Sequence, residues 1–346
     1  MVRHRSPLKG WLDSFVSIAL ACFLIAPSAS VMADDGLARL KAPYKRPVQI
    51  PFPPENPYTP EKAALGKALF FDPRLSGAKN MNCASCHNPS FGWEVPVKTA
   101  VGSKNVHVSR QAPTVLNTAW NGPFFWDGRA ATAEDQAKGP IESPAEMNLP
   151  LGEAVTRLSV IPDYKAWFAR VFPQAGITPD TIVAALATFE RTVVASYAPF
   201  DAWIDGNEDA ISASAKSGFR IFIGTGKCVA CHTGWNFTDN KFHDIGTPTN
   251  DIGRAAIDPG NPFAKYAFKT PTLRDTAQRA PYMHNGEVET LEEVMKQYVT
   301  GGIKRPSRSP LMQPVSLTQS EIEDVIAFMR SLTGSRQVVA LPILPN

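Results

Sequence analysis

Two pentapeptides carry the chemistry of this sequence. Cys83-Ala84-Ser85-Cys86-His87 and Cys228-Val229-Ala230-Cys231-His232 each set two thiols three positions apart, with an imidazole directly after the second. Thiols at that spacing can bond to the two vinyl groups of one haem, and the adjoining histidine then lies beneath the iron as proximal ligand. One such motif could equally be a redox dithiol. Two of them, using every cysteine except Cys22, point to two covalently bound haem c groups.

Cys22 belongs to a stretch that reads as a leader. A basic start, "MVRHRSPLKG", precedes an apolar run from Phe15 to Ala26, and small residues at Val31-Met32-Ala33 offer a cleavage site. The run is too short to span a bilayer comfortably. Residues 1–33 are therefore expected to be a signal peptide, giving an exported, periplasmic chain with no stable membrane anchor. Removing Arg3, Arg5, Lys9 and Asp13, three positive charges and one negative, takes the formal charge from +3 to +1. A near-neutral chain gives no case for nucleic-acid binding. Exported proteins ordinarily place cysteines in disulfides, so the clustering of the other four supports haem attachment.

The elements that must hold two haems repeat along the chain. "LGKALFFDPRLS" followed by "NCASCHNPSFGW" is echoed by "KSGFRIFIGTGKCVACHTGWNF": a helix with a Phe-rich end, a loop, the motif and an aromatic tail. Thr59-Pro60 and Thr178-Pro179 open helices, and Thr318 with Glu321 forms a capping box. Thr290 with Glu293 does the same before Leu291, Val294, Met295 and Tyr298, which fall on one helical face ahead of Gly301. No sustained period-two run occurs, and 31 prolines favour long loops. The expected fold is mainly α, with two tandem cytochrome c-like haem domains over 34–200 and 201–346.

Read locally, Ser143-Pro144-Ala145-Glu146 is a capping box, Phe124-Phe125-Trp126 is packing, and Gln136 and Pro140 are a surface helix residue and a loop breaker. Together with "APTVLN", "FWDGR", "GPIESPAEM", "FKTPTLRD" and "PYMHNG", these segments give the chain a second reading. From about Leu65 to Gly334 it resembles the bacterial di-haem cytochrome c peroxidase family, including its MauG-like branch. The resemblance implies that Glu146 moves a proton between the oxygens of hydrogen peroxide over the N-terminal haem. It places Gln136 and Pro140 in the same distal pocket and Trp126 between the haems as a relay. Arg129, Arg274 and Lys269 become partners of haem propionates or structural ion pairs, and His243 and His284 become support for the second haem.

The sequence departs from the peroxidases at two positions. Many of them carry a histidine sixteen residues after the first proximal one that ligates the resting iron; here that position is Ser103, with His107 four residues further on. The first haem is thus expected to be open, with His87 its protein ligand. Fourteen residues after the histidine of "HNG" the peroxidases place a ligating methionine; here it is Tyr298, as in MauG-like members, with Met295 one turn earlier as the competing ligand. A phenolate stabilises oxidised iron where a thioether favours reduced iron. The family also holds calcium between its domains, and the corresponding positions are Gln111, Arg279 and Pro281.

The expected activity is peroxide-dependent oxidation at the N-terminal haem. Electrons would come through the C-terminal haem from a small cytochrome c or cupredoxin. Alternatively they would come, as in MauG, from tryptophan side chains of a partner protein during quinone cofactor maturation. A di-haem electron carrier without catalysis is the rival from another class, and it requires two closed irons.

Overall fold

Helix starts and stops fall where side chains can cap them. Thr59 accepts from Lys62 N–H at the head of α1 (Pro60–Phe70). Reciprocal capping boxes open α5 (Pro179–Thr192), α8 (Leu291–Thr300) and α9 (Gln319–Ser331), and Gly301 at φ 77° ends α8. Between them lie α2 (Ala133–Glu142), α3 (Leu151–Ser159), α4 (Pro162–Val171), α6 (Pro199–Ile204) and α7 (Ala213–Ile223). A two-stranded antiparallel pair, β1 (Phe242–His243) with β2 (Phe268–Lys269), sets His243 opposite Phe268. The rest is loop and short 3₁₀ turns. All of these elements belong to one compact unit, Lys41–Asn346. This computed structural model describes Met1 and residues 36–346, so the expected leader lies outside the described residues.

Each half is built on one tight helix pair. A Cβ on Gly66 of α1 would strike the Ala185 carbonyl of α5, and one on Gly218 of α7 would strike the Asp324 carbonyl of α9. Glycine at these two points lets the backbones touch. Around the first pair, Leu65, Leu69, Phe70, Ile182, Leu186 and Phe168 are buried to about the last atom. Around the second, Phe200, Trp203, Phe219, Phe222, Phe237 and Phe328 pack mostly edge to face at 5.0–6.0 Å. Such pairs add roughly 0.5–1.5 kcal/mol each beyond area burial.

The two ends of the unit cross over. Tyr44 stacks on Phe237 at 5.1 Å, Lys41 Nζ donates to the Trp203 carbonyl and to Glu208, and Arg46 pairs with Asp201. The N-terminal segment thus packs on the second half. The C-terminal tail returns to the first: Val339 joins its core and Arg74 donates to the Pro345 carbonyl at 2.9 Å. Among the described residues no helix is long and apolar enough to cross a membrane.

Candidate active site

Both cysteine–histidine motifs open on one cavity of about 860 Å³, lined by Cys83, Cys86, His87, Cys228, Cys231 and His232. All four thiols are unpaired. Each motif is a 3₁₀ turn in which the histidine N–H reaches back to the carbonyl of the first cysteine at 2.9 Å. The rings are held in matching fashion. His87 Nδ1 lies 3.3 Å from the Trp93 carbonyl and His232 Nδ1 lies 2.9 Å from that of Phe237. A carbonyl can only accept, so Nδ1 carries the proton and Nε2 is left with a lone pair for iron. Burial keeps both imidazoles neutral, lowering His232 and pushing His87 down to about 4. Thiols, tautomers and cavity together fit two haems.

A second repeat relates the cavity walls of the two halves. The stretch from Ala112 to Glu142 recurs 158 positions later, from Thr270 to Thr300. Asn117 and Asp275 are both left-handed and both precede a 3₁₀ turn. Pro123 and Pro281 both follow cis peptide bonds. The bridge Phe124 to Ala130 matches Tyr282 to Val288. Thr132 caps α2 through Asp135 N–H as Thr290 caps α8 through Glu293 N–H. In this register Trp126 corresponds to His284 and Pro140 to Tyr298, and all four line the cavity. The position that holds a phenol in the second half therefore holds, in the first, a ring with no donor atom.

Glu146 and Gln136 line the cavity with Pro140. Ser143 closes α2, donating its N–H to the Gly139 carbonyl, so the expected capping box is corrected: Glu146 sits in a turn after a helix, not at the start of one. That turn is pinned by Glu146 N–H to Ser143 and by Ser103 N–H to the Glu146 carbonyl at 2.7 Å. Burial lifts Cys86 to about 11, with the nearby Glu146 carboxylate adding to it. Ser103 thus braces the distal turn through its backbone. His107 is exposed at the cavity mouth, with Nδ1 3.3 Å from Thr99 Oγ1.

Around the second motif, Tyr298 and Met295 both line the cavity, Met295 only 3% exposed. Burial holds the Tyr298 phenol well above its usual range, and the Cys231 and Cys228 thiols push the same way. Coordination to a cation reverses that preference, because the metal charge stabilises the phenolate. His243 pairs with Asp239 at 2.8 Å, and that bond, with Cys231 nearby, raises it to about 9. His284 is stacked on Phe268 at 3.5 Å and lowered by burial to about 4. Trp126 Nε1 donates to the Gln111 carbonyl at 2.8 Å, and its own carbonyl accepts from Lys269 N–H.

The basic residues divide. Arg274 is fully buried, paired with Asp201 at 2.7 Å, and is not part of the cavity wall, so it is a structural ion pair. Arg129 pairs with Asp127 and lies over Phe125 at 3.5 Å. Lys269 lines the cavity, lowered by burial to about 8. Sequence reasoning did not single out Glu190, whose carboxyl burial raises to about 8, nor Glu94 and Arg110 on the same wall. The 158-residue repeat was the signal that could have ranked Pro140 and Tyr298 as a pair.

A family model described as di-haem cytochrome c peroxidase matches residues 60–209, and a cytochrome c model matches 215–333. The chain is 47% identical over 344 residues to methylamine utilization protein MauG of Methylorubrum extorquens, covering 98% of both chains. It is 35% identical to cytochrome c551 peroxidase of Nitrosomonas europaea, covering 96% of this chain and 94% of that one. The chain belongs to the di-haem cytochrome c peroxidase family. A crystal structure of a MauG-like protein associated with microbial copper homeostasis superposes with a TM-score of 0.77 at 30% identity, over 84% of this chain and 95% of that one.

Membership fixes the class of chemistry: the protein is a peroxide-dependent oxidoreductase that uses haem, with two tandem haem domains in a mainly helical fold. Both halves of the di-haem peroxidase repeat are present, and the MauG relative aligns over nearly the whole chain. The non-catalytic carrier lacks support, since the relatives include MauG and a cytochrome c551 peroxidase.

Proposed function

We propose that this protein is a periplasmic di-haem c enzyme that reacts with hydrogen peroxide on its N-terminal side and draws the electrons from tryptophan side chains of a partner protein, as in quinone cofactor maturation. The observation that carries the reading is the pairing of Pro140 with Tyr298 at one position of the internal repeat. It leaves one distal face open to substrate and gives the other an anionic ligand that favours oxidised iron.

The haems, attached through Cys83 and Cys86 and through Cys228 and Cys231, supply the redox-active iron when bound. The protein's part is positional and acid–base. Glu146 takes the proton from the near oxygen of peroxide and returns it to the far one, which makes water the leaving group. Gln136 orients peroxide beside it, and Pro140 keeps the face free of a protein ligand. Trp126, held by its hydrogen bond to the Gln111 carbonyl, stands as the relay between the two halves. Tyr298 holds the second site in its oxidised form, with Met295, one turn earlier, as the competing ligand.

The cytochrome c551 peroxidase relative supports a second reading, in which a small cytochrome c or cupredoxin is the donor. One experiment separates them. The holoprotein is given peroxide together with either reduced cytochrome c or a precursor protein carrying unmodified tryptophans, without prior reduction. Tryptophan oxidation seen by mass spectrometry supports the first reading; rapid oxidation of cytochrome c with the precursor unchanged would replace it with the second.

A further inference from the structure

The resemblance puts the family's calcium at the Gln111 side chain and the main-chain carbonyls of Arg279 and Pro281, and the side chains gathered there do not fit it. Calcium takes six to eight oxygen ligands. Gln111 turns its amide nitrogen, Nε2, to Glu94 Oε2 at 3.0 Å. Glu94, the carboxylate at this point, is already engaged: Oε1 accepts from Arg279 Nη1 at 2.6 Å and from Thr114 N–H at 3.0 Å. Arg279 Nη2 donates to the Thr272 carbonyl at 2.6 Å and Nε to that of Arg274 at 3.1 Å. Both partners of the pair are 6% exposed at the side chain. A divalent cation beside this guanidinium would set like charges together out of water.

The seat is shaped for the arginine. Gly92, at φ 65°, faces its stem, and a Cβ there would collide with Arg279 Cγ and Cδ. Burial raises the Glu94 carboxyl, while the guanidinium, Gln111 and the Thr114 amide oppose the shift.

We propose that Arg279 is the cation that replaces calcium between the two halves, and that with Glu94 it positions Trp126. The connection is continuous. Arg279 gathers the 272–279 loop of the second half, Glu94 ties it to the first half, and Gln111 joins Glu94 through its side chain and Trp126 through its carbonyl. Arg279 and Glu94 line the cavity but act here through Gln111 on Trp126; they are positioning residues.

The inference rests on the di-haem reading, and the test separates the two. Purified holoprotein is assayed for haem and for calcium, and its ferric EPR spectrum is recorded before and after EGTA. Two haems, substoichiometric calcium and an unchanged spectrum are expected. One calcium per chain whose removal alters the haem signals overturns the inference; fewer than two haems overturns the reading beneath it. In Arg279→Gln, electron equilibration between the haems after flash reduction should slow by roughly 10- to 100-fold through a displaced Trp126. Arg279→Lys should recover part of the rate, and added calcium none. An unchanged rate in folded Arg279→Gln overturns the positioning role, and the calcium assay on the unaltered protein decides the cation whether or not the variant folds.

Discussion

A carboxylate can shuttle a proton only if its backbone is fixed and its side chain is left to the substrate. Glu146 meets both conditions, with its amide and carbonyl tied to Ser143 and Ser103 and its side chain on the cavity wall. Glu146→Gln should lower the rate of reaction with peroxide by roughly 10²- to 10⁴-fold, read by stopped flow, while the resting EPR spectrum stays as it was. Unchanged peroxide kinetics would remove Glu146 from the mechanism. The second iron makes a separate prediction. Tyr298→Phe should change the low-spin signal and raise the potential of that haem, and Met295→Leu should leave both alone; the reverse pattern would make Met295 the ligand. At this scale the cysteines and proximal histidines were legible from spacing. The proton on Nδ1 of His87 and His232 was not, because it depends on carbonyls five or six residues further on.

Helix position decides which side chain each half presents to the cavity. Helices α2 and α8 start with the same threonine cap, and their eighth residues, Pro140 and Tyr298, reach the cavity. Pro140→Tyr should therefore turn the N-terminal haem from high-spin to low-spin in EPR and suppress its reaction with peroxide. A variant that keeps the high-spin signal would show that the two helices do not present this position alike. In "TLEEVMKQYVTGG" the capping box, the buried face and the terminal Gly301 were all legible in the sequence. The end of α2 was not, because Pro140 continues inside the helix and Ser143 falls at its C-terminus. Capping boxes are local patterns, and a preceding helix can claim the same residues first.

Across the whole molecule, the crossed ends tie each half to the other's partner segment. Glu208 is lowered to about 2, chiefly by its bond to Lys41, with Trp203 and Lys216 adding to it. A depressed carboxylate contributes stability that is complete above its ordinary value of 4.5 and is lost as pH falls toward about 2. Hydrogen exchange in residues 41–46 should accelerate over that window, and Glu208→Gln should flatten the dependence; equal acceleration in both would place the acid sensitivity elsewhere. Deleting residues 336–346 removes Val339 from the first core and the Arg74 contact. The melting temperature should fall by roughly 2–4 °C for each kcal/mol lost, and a truncation without effect would show the tail to be a passive extension.

By itself the sequence determined the two Cys-x-x-Cys-His motifs, the helical class and the tandem order, because each rests on spacing along a few residues. It also singled out Tyr298 by a count from His284. The tertiary structure decided three things. It paired Pro140 with Tyr298, it set Arg274 in an ion pair with Asp201 away from the cavity, and it brought Glu94, Gln111 and Arg279 together from three distant loops. Such contacts join residues up to 185 positions apart. Only burial in a common low-dielectric site makes a guanidinium there an occupant of a cation's place and not another surface charge.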